Sequence, residues 1–251
     1  MPGVKYKERL TFMDNQVWLQ AESCGWTSGG SGSTVLTERD VTVVALKDQK
    51  ELCPSDLRKY TLNLKLNGGF QKSIPEEGLW VENYVKNIAY TNEVMIWSNT
   101  AASTTKCAGW LNLATGDTST YKVTSVDIAN SGSTKTASTW ISDFKTIYNT
   151  LPTKYRGNPK LTLFVGKEVF SYIAAAFVTA NNFHVSGMDF DKWKFNGMLI
   201  GFPFTIRGTE GLTGTNRAIL TPSDNLVVAV DLEGEDEKIN VRWDDSQEII
   251  S

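Results

Sequence analysis

The chain has 251 residues, 41% of them hydrophobic and 21% charged, a balance ordinary for a soluble globular protein. A net charge of -3 and a pI near 5.4 exclude tight generic binding of nucleic acid, which needs a concentrated basic surface to displace counterions. No run approaches the ~18 apolar residues of a membrane helix, and the N-terminal MPGVKYKERLTFMDN lacks the apolar core of a secretory signal, so a cytoplasmic protein is expected.

Residues 1–20 carry mixed charge without a clear period and read as an arm, ordered only if something holds it. Residues 23–34, SCGWTSGGSGST, are rich in Gly and Ser and predict a flexible loop. No Gly-Lys-Ser/Thr follows to make it a phosphate cradle. Val41 to Leu46 reads as a strand and Leu52 to Tyr60 as a short helix opening near Pro54, Ser55 and Asp56. In Thr61 to Leu66 strict alternation places Leu62, Leu64 and Leu66 on one face, and Asn67-Gly68-Gly69 supplies turn residues, which together predict a projecting hairpin.

The strongest signal is Pro75 to Asn99, PEEGLWVENYVKNIAYTNEVMIWSN. Glu76 and Glu77 behind a proline suit a helix N-terminus. At helical spacing Val81, Tyr84, Val85, Ile88, Ala89, Met95 and Ile96 share one broad face, interrupted only by Asn92, which is expected to be buried. Leu79, Tyr90 and Trp97 form a second, narrower apolar line on the opposite side. Either something beyond a single core covers that line, or the helix is buried on all sides in a large domain. Its β-branched and aromatic content gives weak helix propensity, so packing must hold the segment.

Beyond a polar stretch, Tyr121 to Val126 predicts a short strand. Trp140, Ile141, Phe144, Ile147, Tyr148 and Leu151 follow helical spacing up to Pro152. Leu161 to Val165 is a continuous apolar run typical of a strand buried on both faces, and a helix is expected from Lys167 to about Ala180. Lys194 to Arg207 predicts one or two strands broken at Gly197, Gly201 and Pro203. Helix, strand, helix, strand is an α/β pattern. Arg217 to Thr221 predicts another strand, and Leu226 to Leu232 with Lys238 to Trp243 a closing hairpin around the acidic Glu233-Gly234-Glu235-Asp236-Glu237. Those carboxylates lack the spacing of a calcium loop and read as a solvated turn.

No residue pattern calls for chemistry. Cys24, Cys53 and Cys107 have no metal-site or disulfide-framework spacing and read as free thiols. His184, the only histidine, has no nucleophile motif to serve. The glycines of GTEGLTG, Gly208, Gly211 and Gly214, miss the dinucleotide spacing, and that segment reads as a surface loop. Asp189 and Asp191 read as decoration of a polar loop. No catalytic, cofactor or metal site is expected. Eight tryptophans, a residue enriched in cores and interfaces, point instead to extensive contacts.

Taken in order, an arm, a strand and hairpin, a long two-faced helix, an α/β unit and a closing β-segment, NRAILTPSDNLVVAVDLEGEDEKINVRW, resemble the major capsid proteins of tailed bacteriophages, the Hong Kong 97 fold. The resemblance implies an α+β architecture with residues 1–20 as N-terminal arm and 21–75 as projecting loop and peripheral-domain strands. Residues 76–118 would be the peripheral domain with its spine helix, 119–215 the axial domain, and 216–251 the return to the peripheral domain. The projecting loop would be residues 22–38 or 61–75. It further implies a virion protein, assembled in the host cytoplasm, whose partners are its own copies in pentamers and hexamers, a portal, a separate scaffolding protein and, weakly, packaged DNA. Leu79, Tyr90 and Trp97 become the candidate subunit interface. An encapsulin-type compartment shell, or an α/β enzyme with an unmarked site, are the alternative readings.

Overall fold

A computed structural model of the chain describes residues 7–15, 34–44, 46–48, 76–99, 107–117, 126, 128, 134–181, 188–230, 243–244 and 249–250. The expected short helix at 52–60, the alternating segment 61–66, His184 and the acidic run 233–237 lie outside the described residues, as do Cys24 and Cys53. The protein is α+β, with a mixed five-stranded sheet, a two-stranded ribbon and several helices. It divides into two compact units, Met1–Ala45 with Val228–Ile239, and Leu46–Val227 with Asn240–Ser251.

In the first unit, β1 (Lys7–Asn15) pairs antiparallel with β2 (Thr34–Thr42) over their full length. The strand expected at 41–46 therefore starts earlier, and part of the segments read as arm and loop is strand. The reason lies in alternation. On one face Leu10 and Phe12 meet Arg39 and Thr37, with Val35 and Val41 completing an apolar row; on the other, Lys7 and Arg9 lie beside Asp40 and Glu38. Lys7 pairs with Asp40 at 2.8 Å and Arg9 with Glu38 at 2.9 Å. Opposite charges on neighbouring strands fix the register.

The second unit is organised on β3 (Leu161–Gly166). Its neighbours are β6 (Thr205–Thr209), parallel, and β7 (Ile219–Pro222), antiparallel; β5 (Lys194–Asn196) and β4 (Met188–Asp189) extend the sheet beyond β6. Both faces of β3 are buried. Leu161, Leu163 and Val165 point into the larger core with Phe195 and Ile206 of the neighbouring strands. That core is closed by α3 (Ala137–Thr150) through Trp140 and Phe144, and by α5 (Lys167–Asn181) through Val169, Phe170, Ile173 and Phe177. Phe144 meets Phe202 and Phe204 edge-on at 6.1 and 6.2 Å, the geometry that aromatic quadrupoles favour.

Local signals set the element ends. Thr136 caps α3 by accepting the Thr139 N–H, and Pro152 stops it. The short α4 (Thr153–Arg156) then turns Arg156 back, and its guanidinium donates to the last carbonyls of α3, Leu151 at 2.8 Å and Asn149 at 2.6 Å. Between β5 and β6 a 3₁₀ turn, Gly197–Ile200, ends at Gly201 with φ +86°, a left-handed conformation that glycine adopts without steric cost.

The closing segment differs from expectation. Leu226 to Val230 form no strand among the described residues, and the pair that forms is β8 (Trp243–Asp244) with β9 (Ile249–Ile250). Val126 likewise lies outside any strand, and residues 121–125 are not described.

Candidate assembly surface

The long helix is α1 (Glu76–Ser98). Its C-terminal third carries the second core of its unit. There Trp97 is 7% exposed, edge-on to Trp110 at 4.7 Å and tilted on Phe164 at 5.0 Å. Trp110 opens α2 (Trp110–Gly116) and donates its indole N–H to the Val227 carbonyl at 3.2 Å. Phe164 is the β3 residue that points away from α3 and α5, so α1 and α2 cover the opposite face of the sheet from those helices.

The segment read as a surface loop completes this core. Gly208, Thr209, Gly211 and Leu212 are buried, and the 3₁₀ turn Glu210–Leu212 packs on α1. Glu93 accepts the Glu210 N–H at 3.0 Å, and Lys167 pairs with the Glu210 carboxylate at 2.9 Å. The expected loop is overturned because its Gly-Thr-Glu-Gly pattern brings backbone close to an aromatic ring, which polarity alone does not reveal.

The two apolar lines of α1 are corrected accordingly. Trp97 belongs to the core of its own chain and leaves the outward line, because the sheet face beneath it needs covering. Tyr90 is 54% exposed. The side chain of Leu79 lies outside the described residues. On the broad face Val85 and Ala89 are exposed, while Val81, Tyr84, Ile88, Met95 and Ile96 are half-buried. Tyr84 stacks on Trp80 at 5.1 Å and donates its hydroxyl to Asp48 at 2.6 Å; that carboxylate raises the phenol's pKa.

The ribbon β1/β2 offers a second surface. Phe12, Met13, Val35 and Leu36 are 48–65% exposed, and nearly every described residue of both strands is open to solvent. An isolated two-stranded ribbon is marginally stable in water. The sequence signal that could have found them is the opposite signs of Lys7 and Arg9 against Glu38 and Asp40, which only a pairing between distant segments makes visible.

The Lys7 ammonium hydrogen-bonded to Asp40, with Arg9 beside it, holds the Asp40 carboxyl below its ordinary 3.8. A carboxyl depressed in the folded state stabilises it above the unfolded value, and that contribution is lost as pH falls through the folded one. Ribbon amides from Lys7 to Asp40 should therefore keep their cross-strand NMR contacts at pH 6 and lose them below pH 3.8. Contacts that persist undiminished to pH 2 would show that the ion pairs do not hold the register.

Asp189 accepts the Lys192 N–H at 3.1 Å and pairs with the Lys192 ammonium at 3.5 Å. Among the described residues no group of three or more His, Cys, Asp or Glu could hold a metal ion, and no helix is long and apolar enough to cross a membrane. Comparison with known protein families, with characterised proteins and with solved structures gives no match.

Proposed function

We propose that this chain is a structural shell subunit, the self-assembling major capsid protein of a tailed phage with a Hong Kong 97-type fold, and that it carries no catalysis. The observation that carries the reading is the β1/β2 ribbon, which has apolar side chains outward on both faces and no thickness of its own to bury them. Neighbouring copies supply that cover in a closed shell, where symmetric contacts multiply modest interfaces into a stable assembly. The order of elements supports the same reading: ribbon, long helix, then an α/β layer whose sheet Ile219–Pro222 completes. Copies would associate as pentamers and hexamers, with a portal and a scaffolding protein as further partners and only weak contact with DNA.

Purified protein should form rings or closed shells by light scattering and negative-stain microscopy. A strict monomer at every concentration and salt, with or without scaffold candidates, would overturn the proposal. Tyr90→Ser should impair assembly while shifting subunit stability by no more than about 0.5 kcal/mol, as for an exposed position. Normal shells from that variant would remove Tyr90 from the interface.

A further inference from the structure

The row of residues that crosses the five-stranded sheet on the α1 side runs Asp189, Lys194, Arg207, Phe164, Ile219. Its apolar half, Phe164 and Ile219, lies under Trp97 and Trp110. Its polar half is open. Phe195 and Ile206 are fully buried on the other face, so alternation sends Lys194 and Arg207 outward, and both are exposed. They are direct cross-strand partners, an arrangement in which like charges repel. Among the described residues neither has a carboxylate within ion-pair reach. The nearest acid in the row, Asp189, is occupied by Lys192. Exposed Asn196 and half-buried Thr205, Thr162 and Thr221 continue this face as a polar row. A pair of adjacent cations beside a polar row is complementary to a short acidic segment.

We propose that Lys194 and Arg207 receive the acidic run Glu233-Gly234-Glu235-Asp236-Glu237 of a second copy of this chain. The chain itself holds that run, four carboxylates in five residues, and its net charge of -3 disfavours a nucleic acid in the same place. The inference rests on the shell reading for its setting. Two exposed ion pairs do not hold subunits together; they set register and discriminate against wrong contacts, and salt weakens them.

The experiment compares the wild type, the reversal Lys194→Glu with Arg207→Glu, and the reversal combined with Glu233→Lys, Glu235→Lys and Glu237→Lys. The reversal should raise the subunit concentration needed for assembly about tenfold at low salt, and the combined variant should restore it. In parallel, a synthetic peptide of residues 230–240 is titrated into unassembled wild-type subunit and followed by amide shifts of Lys194 and Arg207. Binding that the reversal abolishes supports the contact even where shells do not form, so failure of assembly alone strikes the shell reading and not this one. The inference is overturned if the peptide leaves those amides unmoved, if the reversal assembles like wild type, or if the combined variant fails to recover. It is also overturned if the reversal instead abolishes binding to a short DNA duplex while assembly is unchanged.

Discussion

Trp97→Ala should destabilise the sheet-bearing unit by about 3–5 kcal/mol, the range for deleting a large aromatic from a core. The ring touches three elements at once: Trp110 of α2, Phe164 of β3 and the 3₁₀ turn after β6. Losing it leaves a cavity that none of these can collapse into, because β3 is held from its other face by Phe144 and Phe170 of the larger core. Chemical denaturation of the monomeric protein, followed by far-UV circular dichroism, measures the loss. A change under about 1 kcal/mol would return Trp97 to the outward line of the helix, since an exposed tryptophan costs little on truncation.

Gly211→Ala attacks the same contact from the other side. A Cβ at position 211 would stand 2.5 Å from the Trp97 ring, 2.6 Å from its Cβ and 2.7 Å from the Glu93 carbonyl oxygen. Helix and turn would have to separate, at the upper end of the 1–3 kcal/mol typical of overpacking or beyond. Combining both substitutions makes the argument sharper. Removing the ring relieves only the first clash, because the Glu93 carbonyl belongs to the backbone of α1 and stays in place. The double variant should therefore be less stable than Trp97→Ala alone, yet its loss should fall short of the sum of the single losses. Strict additivity by denaturant titration would mean that residues 97 and 211 do not share a contact.

Periodicity made the regular elements of the sheet-bearing unit legible. Trp140 to Leu151 read as a helix and Leu161 to Val165 as a doubly buried strand because each pattern reports burial directly, and the structure has α3 and β3 there. Sequence reasoning failed where burial depends on a partner far along the chain. Trp97 lies on a helix whose overall amphipathicity is weak, so its angular position did not say which surface it meets. The turn at 208–212 looked solvent-facing because glycine, threonine and glutamate are common in loops, although here small size and one backbone N–H were the features being used. The β1/β2 pairing joins segments separated by a stretch that includes the Gly- and Ser-rich residues before Thr34, too long to set a register, and only the sign pattern of their charges foreshadowed it. The candidate interface was legible only as a class of surface; which residue of α1 faces outward required the fold.

The distribution of contacts along α1 gives the helix two ends of different character. From Glu93 to Asn99 it is clamped by a ring, a carboxylate and the Asn99 contacts to Cys107 and Gly109, whereas from Glu82 to Asn92 most residues are open to water. Opening free energies in native proteins vary from near zero to the global value within one molecule, and the clamped stretch is the one whose amides are expected to exchange last. Tyr90 stands three residues, less than one helical turn, before Glu93, whose carboxylate accepts the Glu210 N–H just after β6, so a partner seated at Tyr90 would lie within a turn of the contact that ties the helix to the sheet.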